Sequence, residues 1–274
     1  APSAWAAYAL WPGRPFAGTG QQMMNIDSMA KGSPVTSATP GDSADGVLVR
    51  TVGLRRTYLV GSEQVHALRG IDLVIKSGQF VAFKGRSGSG KTTLLNLIGG
   101  LDTPTAGQVY LFGRELSSLS EAERTRIRRD KLGFVFQSFA LIPTFSAYEN
   151  VELPLRIARM SARERHERAM RCLTLVGLRR WANHRPFEMS GGQQQRLSIA
   201  RALANRPGLI IADEPTGELD SETGRKIILL FQRLVREEGV TVLMASHDPT
   251  VDEFVTDVYQ LGDGEIIDHV CYSA

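Results

Sequence analysis

The stretch that decides the fold is Gly85-Arg86-Ser87-Gly88-Ser89-Gly90-Lys91-Thr92-Thr93. It follows a short β-prone run, residues 79–83, and precedes an apolar, helix-periodic run, residues 94–98. In this setting a glycine-rich turn binds phosphate, because its backbone N–H groups and the positive end of the helix face the anion. Lys91 is predicted to reach the β- and γ-phosphates, and the Thr92 hydroxyl to contact Mg²⁺. A solvated Gly/Ser loop is the alternative, and the flanking pattern argues against it.

Composition allows a sizeable core and argues against several classes of protein. The chain has 274 residues, 42% of them hydrophobic, and a formal net charge of +3. This charge is too small to indicate nucleic-acid binding by itself. Cys172 and Cys271 lie far apart without metal-ligand spacing, so reduced thiols are expected rather than a disulfide. No run reaches the about 18 apolar residues of a membrane-spanning helix, so any membrane role is expected to be peripheral.

The first part of the chain, residues 1–46, differs in composition from the rest. It is rich in Ala, Gly, Pro, Ser and Thr and has no sustained period, which predicts a disordered N-terminal extension. Its first basic residue follows the apolar run of residues 5–11 instead of preceding it, which argues against a signal peptide. Met23, Met24 and Met29 suggest the hypothesis that the natural start lies within this stretch.

From Val47 onward, short strand and helix patterns alternate, which predicts an α/β fold. Residues 47–52 and 70–75 have the pattern of half-buried antiparallel strands. Tyr58 falls between them, where it could stack on a base or simply pack as an ordinary aromatic. A helical and basic stretch, about residues 138–186, is predicted as an insert that separates two parts of one sheet.

Helix and turn signals divide the second half of the chain. Pro143 and Pro154 are expected to break a helical region, and a capping box at Ser161 predicts the start of the next helix. A later helix is predicted over residues 225–238. The chain is expected to close with a hairpin around the turn at residues 262–264.

Polar side chains follow three apolar strand runs. Gln137, the pair Asp213-Glu214 and His247 each come directly after such a run or shortly beyond it. Carboxyl ends of parallel strands meet at one edge of a sheet, so these side chains are expected to share an edge. Adjacent strand residues face opposite ways, which predicts Asp213 in the outer sphere of Mg²⁺ and Glu214 orienting the attacking water. His247 is a candidate γ-phosphate contact.

A second anion-binding helix start is predicted at Ser190-Gly191-Gly192-Gln193. Ser190 is a typical N-cap, and the two glycines leave the first N–H groups of the helix accessible. By itself the pattern fits a simple capped helix equally well. Two such helix starts in one chain suggest two phosphate contacts.

Taken in order, these motifs resemble the nucleotide-binding subunit of ATP-binding cassette transporters, over residues 47–268. The motifs that carry the resemblance are Gly85 to Thr92, Gln137, Ser190-Gly191-Gly192-Gln193, Asp213-Glu214, Asp220 and His247. The resemblance implies a P-loop NTPase core with a mixed central sheet. It also implies an N-terminal antiparallel β-subdomain and a helical subdomain insert within a cassette domain at residues 47–270.

The resemblance also implies roles for single residues. Tyr58 is expected to stack on adenine, Gln137 to contact Mg²⁺ and sense a transmembrane partner, and His247 to hold the γ-phosphate. The family implies ATP hydrolysis between two head-to-tail copies, each site completed by the signature of the other copy. A cytoplasmic location follows, at the inner face of the membrane and attached to a separate permease, with no nucleic acid as partner.

Within the family, residues 99–107, 153–155 and 214–220 look like the branch for lipoprotein release, macrolide or antimicrobial-peptide export and cell division. Met189 and Glu218 depart mildly from that branch. One alternative is a soluble cassette ATPase acting on nucleic acid or the ribosome, a class that usually carries two cassettes or long inserts. Another is a non-hydrolysing regulatory cassette, although every catalytic position is filled. The permease, rather than this chain, is expected to hold the site for the transported substrate.

Overall fold

A computed structural model describes residues 46–272 of the chain. The predicted disordered extension therefore lies outside the described residues, except for its last position. The strands are β1 Val47–Val60, β2 Glu63–Lys76, β3 Phe80–Lys84, β4 Ala106–Leu111, β5 Arg114–Glu115, β6 Leu132–Phe136, β7 Leu209–Asp213, β8 Thr241–Ala245, β9 Asp257–Gly262 and β10 Glu265–Cys271. The helices are α1 Lys91–Ile98, α2 Glu121–Lys131, α3 Ala147–Ile157, α4 Ala162–Leu175, α5 Gly191–Ala202 and α6 Ser221–Glu238.

Two sheets organise these elements. The larger sheet has the order β10-β9-β3-β8-β7-β6, in which β9 to β6 run parallel and β10 returns antiparallel to β9. The smaller sheet, β2-β1-β4-β5, is antiparallel. The predicted α/β fold, with a mixed central sheet and an antiparallel β-subdomain, is confirmed, and so is the closing hairpin.

The core forms on both faces of the larger sheet. On one face, α1 packs between this sheet and the antiparallel sheet, with Leu94 and Ile98 fully buried against Ile211 of β7 and its neighbours. On the other face, α3 to α6 pack against residues such as Ile210 and Ala212, which alternate with Ile211 along the same strand. Because β7 points successive side chains to opposite faces, α1 and α5 lie on opposite sides of the sheet.

The N-terminal hairpin is longer than the sequence pattern predicted. Strands β1 and β2 pair along their whole length around the turn at residues 61–62, with register shifts near Leu54. Tyr58 therefore lies within β1, opposite Val65, and the prediction that it falls between two strands was wrong. The irregular register explains the miss, since each shift interrupts the strict alternation on which the pattern depends.

Two helix predictions also need correction. Pro154 does not break the helix but lies inside α3, which is anchored by the buried Val151 and Leu155, so packing outweighs the missing N–H of proline. The last long helix begins at Ser221 rather than at residue 225, because Asp220 caps it by accepting from the Thr223 amide at 2.9 Å.

Every α-helix of the described residues except α1 begins after a residue whose side chain caps it. Helices α2 to α5 each begin after a serine that forms a capping box, and α6 begins after Asp220. Helix α1 begins after Gly90, in the left-handed region, and no side chain caps it. The first N–H groups of α1 are thus left to another acceptor. Among residues 46–272, no helix is both long and apolar enough to cross a bilayer.

Candidate nucleotide-binding site

The predicted site residues follow one row of strand ends. Across the larger sheet, Phe136 pairs with Asp213, Asp213 with Ala245, and Ala245 with Phe83. The residues just beyond this row include Gln137, Glu214, His247 and the glycine-rich loop that begins at Gly85. Parallel strands therefore bring segments more than a hundred residues apart to one edge, as the sequence predicted.

The glycine-rich loop has a backbone that only glycine fits at two positions. Gly85 has φ 147°, and a Cβ there would lie 2.3 Å from the backbone oxygen of Leu261. Gly90 has φ 104°, and a Cβ there would lie 2.7 Å from the backbone oxygen of Ala67. Side chains at these positions would force the loop away from the sheet and from its curled shape. The fold thus holds the loop tightly against its neighbours.

The polar atoms of the loop fit a bound polyanion. Lys91 is 5% exposed, and its ammonium donates to the backbone oxygens of Gly85 and Arg86 at 2.8 and 3.1 Å. The buried Ser89 hydroxyl has no hydrogen-bond partner among the residues that the structure describes. Together with the uncapped start of α1, these donors and this positive charge converge on the loop. A phosphate chain supplies the oxygens that such donors need.

A hydroxyl and a carboxylate lie next to the loop. The Thr92 hydroxyl, in the first turn of α1, donates to Asp213 Oδ1 at 3.1 Å at the end of β7. Burial raises the pKa of the Asp213 carboxyl, the Thr92 hydrogen bond opposes this shift, and the nearby Glu214 adds to it. A hydroxyl and a carboxylate are the oxygen ligands that Mg²⁺ prefers, so these two residues fit that ion.

Glu214 and His247 form a second pair at the same edge. The imidazole Nδ1 of His247 lies 3.3 Å from Glu214 Oε2. Glu214 itself has φ 45°, a left-handed conformation that is strained for a non-glycine residue, and its amide donates to the oxygen of Ala245 at 3.0 Å. The sequence predicted both residues at this edge but not their contact.

Gln137 lies where β6 ends, and its side chain packs over the loop that follows Glu214. A Cβ on Gly217 would be 3.1 Å from Gln137 Nε2, and the glutamine side chain is exposed. The structure gives Gln137 no hydrogen bond to Thr92 or Asp213. Its predicted contact with Mg²⁺ stays a prediction.

Tyr58 is held in place by a residue whose role the sequence reasoning missed. The Tyr58 hydroxyl donates to Asp102 Oδ2 at 2.8 Å, and the Arg56 guanidinium, paired with the same carboxylate, lies 4.4 Å from the ring centroid. Burial raises the pKa of Tyr58, and the nearby Thr93 side chain of α1 opposes this shift. Tyr58 therefore lies beside the phosphate loop. Asp102 follows α1 in the sequence, but its partners lie 44 and 46 residues away and have no sequence signal.

Ser190 caps α5 as predicted. The Gln193 amide donates to Ser190 Oγ at 3.3 Å, and the Ser190 amide donates to Gln193 Oε1 at 2.8 Å. Gly192 lies against α6, since a Cβ there would be 2.5 Å from the Thr223 methyl. Helix α5, which Ser190 caps, packs on the face of the larger sheet opposite α1. One chain therefore does not bring Ser190 to its own phosphate loop.

These features together define a P-loop NTPase. They are a parallel strand that leads into a glycine-rich loop with a buried lysine, and another parallel strand of the same sheet that ends in acidic residues. Comparison with known proteins narrows this class. A family model described as "ABC transporter" matches residues 68–217. The ABC transporter ATP-binding protein MJ0796 of Methanocaldococcus jannaschii, itself of uncharacterized function, is 50% identical over 223 residues, which cover 80% of this chain and 95% of that protein.

Two further relatives carry functional names. The lipoprotein-releasing system ATP-binding protein LolD 2 of Caulobacter vibrioides is 47% identical, over 78% of this chain and 94% of the relative. The macrolide export ATP-binding/permease protein MacB of Marinobacter nauticus is 48% identical, over 81% of this chain but only 34% of that longer protein. A solved dimer of MJ0796 in a post-hydrolysis state, bound to ADP and Pi, matches with a TM-score of 0.76 and 48% identity, covering 83% of this chain and all of the other.

The chain belongs to the ABC transporter family, and within it to the branch that includes the lipoprotein-release and macrolide-export ATPases. It is an ATP-binding and ATP-hydrolysing cassette of that family, as the sequence predicted. The relatives are named as transporter proteins, which gives the nucleic-acid alternative no support.

Proposed function

We propose that this chain works as a pair of identical cassettes that close around two MgATP molecules and drive a separate membrane permease. In each site, the phosphate loop of one copy faces the Ser190 helix start of the other. The observation that carries the proposal is the placement of α1 and α5 on opposite faces of one sheet. A second copy is then needed to supply the second phosphate-binding helix.

Each residue near the loop has a proposed task. The amides of residues 85–92 and the Lys91 ammonium hold the β- and γ-phosphates, and the Thr93 and Tyr58 side chains border the nucleotide, with Tyr58 stacking on adenine. Thr92, Asp213 and Gln137 would hold Mg²⁺, which would supply positive charge against the phosphate oxygens. Hydrolysis of this kind depends mainly on positioning and charge, which the rigid strand ends provide.

Glu214 is proposed to orient the attacking water and accept its proton. Its carboxylate already contacts His247, which holds the glutamate in place and contacts the γ-phosphate. The strained backbone at Glu214 fixes the direction of this side chain. In this proposal Glu214 is the base, and His247 is the group that positions it.

An apolar groove beside Gln137 is the surface that we propose for the permease. It has a volume of about 510 Å³ and lies between β6, α3 and α5, and its apolar lining includes Phe134, Phe136, Leu153, Pro154 and Ile157. The two phenylalanine rings stack with centroids 6.1 Å apart, and Ile157 is 57% exposed. Attachment here would hold the chain at the inner face of the membrane and let Gln137 sense the permease. The related names suggest an exporter or a system that extrudes lipoproteins or peptides.

Exchange of Glu214 for Gln tests the catalytic part. The amide keeps the size of the side chain but cannot accept the proton, so turnover should fall by roughly 100-fold or more while MgATP still binds. The variant should also form an ATP-dependent dimer that light scattering detects. Glu218→Gln is the matched control, because it removes an exposed carboxylate four residues away. Wild-type turnover by the Glu214 variant would remove this residue from its role.

Exchange of Ile157 for Glu tests the permease surface. The charge should abolish co-purification of the permease from native membranes, while the ATPase activity of the isolated chain stays unchanged. Ile267→Glu, at a 64% exposed position on β10, is the matched control and should keep the permease. Loss of the permease in both variants, or in neither, would contradict the assignment of the groove.

A further inference from the structure

Three side chains of metal-binding types meet on the C-terminal hairpin, outside the nucleotide-binding site. They are Asp257, His269 and Cys271. Asp257 lies directly opposite Cys271 in the antiparallel register of β9 and β10, and His269 precedes Cys271 by two residues. Because side chains alternate along a strand, all three project from the same face of the hairpin.

The candidate ligand atoms are already close to one another. His269 Nε2 lies 3.0 Å from Asp257 Oδ1, and Cys271 Sγ lies 3.3 Å from that oxygen and 3.4 Å from the same nitrogen. A tetrahedral zinc ion, with bonds of about 2.0–2.3 Å, spaces its ligand atoms by about 3.3–3.6 Å. The three atoms would have to separate by only a few tenths of an ångström to bind the ion.

Neighbouring residues fix two of the three side chains. The other oxygen of the buried Asp257 carboxylate accepts from Gln79 Nε2 at 2.8 Å, and Gln79 is itself held by the Lys76 amide. The His269 ring stacks on Tyr259, with centroids 3.9 Å apart and an angle of 8° between the rings. Such outer contacts orient carboxylate and imidazole ligands in metal sites. The hairpin is therefore organised before any ion arrives.

We propose that Asp257, His269 and Cys271 bind one Zn²⁺ or a similar borderline transition-metal ion, with a fourth position open to water. One oxygen, one nitrogen and one sulfur ligand suit zinc, whereas Mg²⁺ and Ca²⁺ require oxygen ligands. On binding, the thiol releases its proton to solvent and the sulfur bonds to the ion.

This site is separate from the one that binds nucleotide. Asp257 pairs with Val81 near the start of β3, whereas the phosphate loop leaves β3 after Lys84, at the other end of the strand. The His269 side chain is 36% exposed and Cys271 is exposed, so an ion can reach them from solvent. The ion would link β10, the edge strand of the sheet, to β9.

Cobalt binding by the nucleotide-free chain tests the site, because Co²⁺ takes zinc ligands and its bond to a thiolate absorbs light. We expect one Co²⁺ per chain, with thiolate-to-cobalt absorption that added Zn²⁺ removes. Cys271→Ser and His269→Gln should each lose this absorption. His66→Gln, which removes an exposed histidine elsewhere, and Asp213→Asn, which alters the nucleotide site, should both keep it.

A second measurement uses the unchanged chain and so does not depend on the folding of variants. Cys271 is exposed and Cys172 buried, so alkylation of the native chain reports on Cys271. Zn²⁺ should slow this alkylation by roughly tenfold or more, and Mg²⁺ should not, because a metal-bound thiolate no longer attacks the reagent. Unchanged alkylation together with no cobalt absorption would show that the three side chains only hydrogen-bond, and would overturn the proposal.

Discussion

The starts of α1 and α5 are the two helix ends that we propose bind phosphate, and only one of them has a capping side chain. Helix α1 follows Gly90, which has φ 104° and offers no capping side chain. Helix α5 follows Ser190, whose side chain and that of Gln193 satisfy two backbone N–H groups. A capping box satisfies part of a helix end without a ligand, whereas an end without a capping side chain leaves its first N–H groups to an acceptor from elsewhere.

Under the proposed function, we expect this difference to let one chain bind nucleotide first and the second copy afterwards. The uncapped end, backed by Lys91 and the unpartnered hydroxyl of Ser89, should provide most of the affinity of a single chain for MgATP. The capped end keeps its shape alone and should contribute only when a second copy brings it to the phosphates. A variant at the start of α1 should therefore lose affinity for MgATP, and a variant at the start of α5 should lose ATPase activity but keep that affinity.

Lys91→Ala should have the largest effect. Removing the ammonium leaves the phosphate charge unpaired in a buried loop, so the affinity for MgATP should fall by about 100-fold or more in calorimetry. Lys84→Ala is the matched control, because Lys84 lies just before the loop but pairs with Asp252 at 2.9 Å. Its affinity should stay within about threefold of the wild type. Equal losses in both variants would contradict a specific role for Lys91.

Ser190→Asp should separate the two functions of the α5 start. Aspartate caps a helix as well as serine does, so thermal stability should be kept, but its charge would repel the phosphates brought by the other copy. ATPase activity should fall by roughly tenfold or more, with the affinity of the single chain for MgATP unchanged. Ser120→Asp, at the equivalent cap of α2, should change neither. Normal ATPase activity in the Ser190 variant would refute its contact with phosphate.

Asp213→Asn should have the smallest effect of the three variants. It should raise the stability of the nucleotide-free chain at neutral pH, whereas the other two variants lower binding or activity. Burial raises the pKa of Asp213, so the folded chain holds this proton more tightly than the unfolded chain does. Wild-type stability should therefore decrease as the pH rises from the ordinary value of 3.8 through the raised pKa. The variant lacks this loss and should melt a few degrees higher at neutral pH without nucleotide, and the difference should disappear below 3.8. A lower melting temperature at neutral pH would contradict the sign.

Much of the site could be predicted because its signals are local. The glycine-rich loop is contiguous, the Ser190 box spans four residues, and the acids Asp213 and Glu214 follow directly from one buried strand. The rule that the carboxyl ends of parallel strands meet at one edge of a sheet then predicted His247 at the same edge. These features depend on backbone rules that act over a few residues.

The missed features depend on contacts between distant segments. Asp102 holds Tyr58 across 44 residues, and Glu214 contacts His247 from the end of a different strand. Pro154 stays helical because of packing rather than its own preference. The strand order of the larger sheet also has no local signature. Tertiary packing decides such details, so sequence periodicity cannot reveal them.

The most direct test of the shared site mixes two disabled chains, both carrying Glu214→Gln so that a closed dimer persists. One also carries Lys91→Ala and the other Ser190→Asp. Each alone should stay monomeric with MgATP, but a mixture can build one complete site from the loop of the second chain and the Ser190 helix of the first. The account predicts an ATP-dependent heterodimer holding one nucleotide, measured by light scattering and nucleotide content. A mixture that stays monomeric, or a Ser190→Asp chain that dimerises alone, would contradict it.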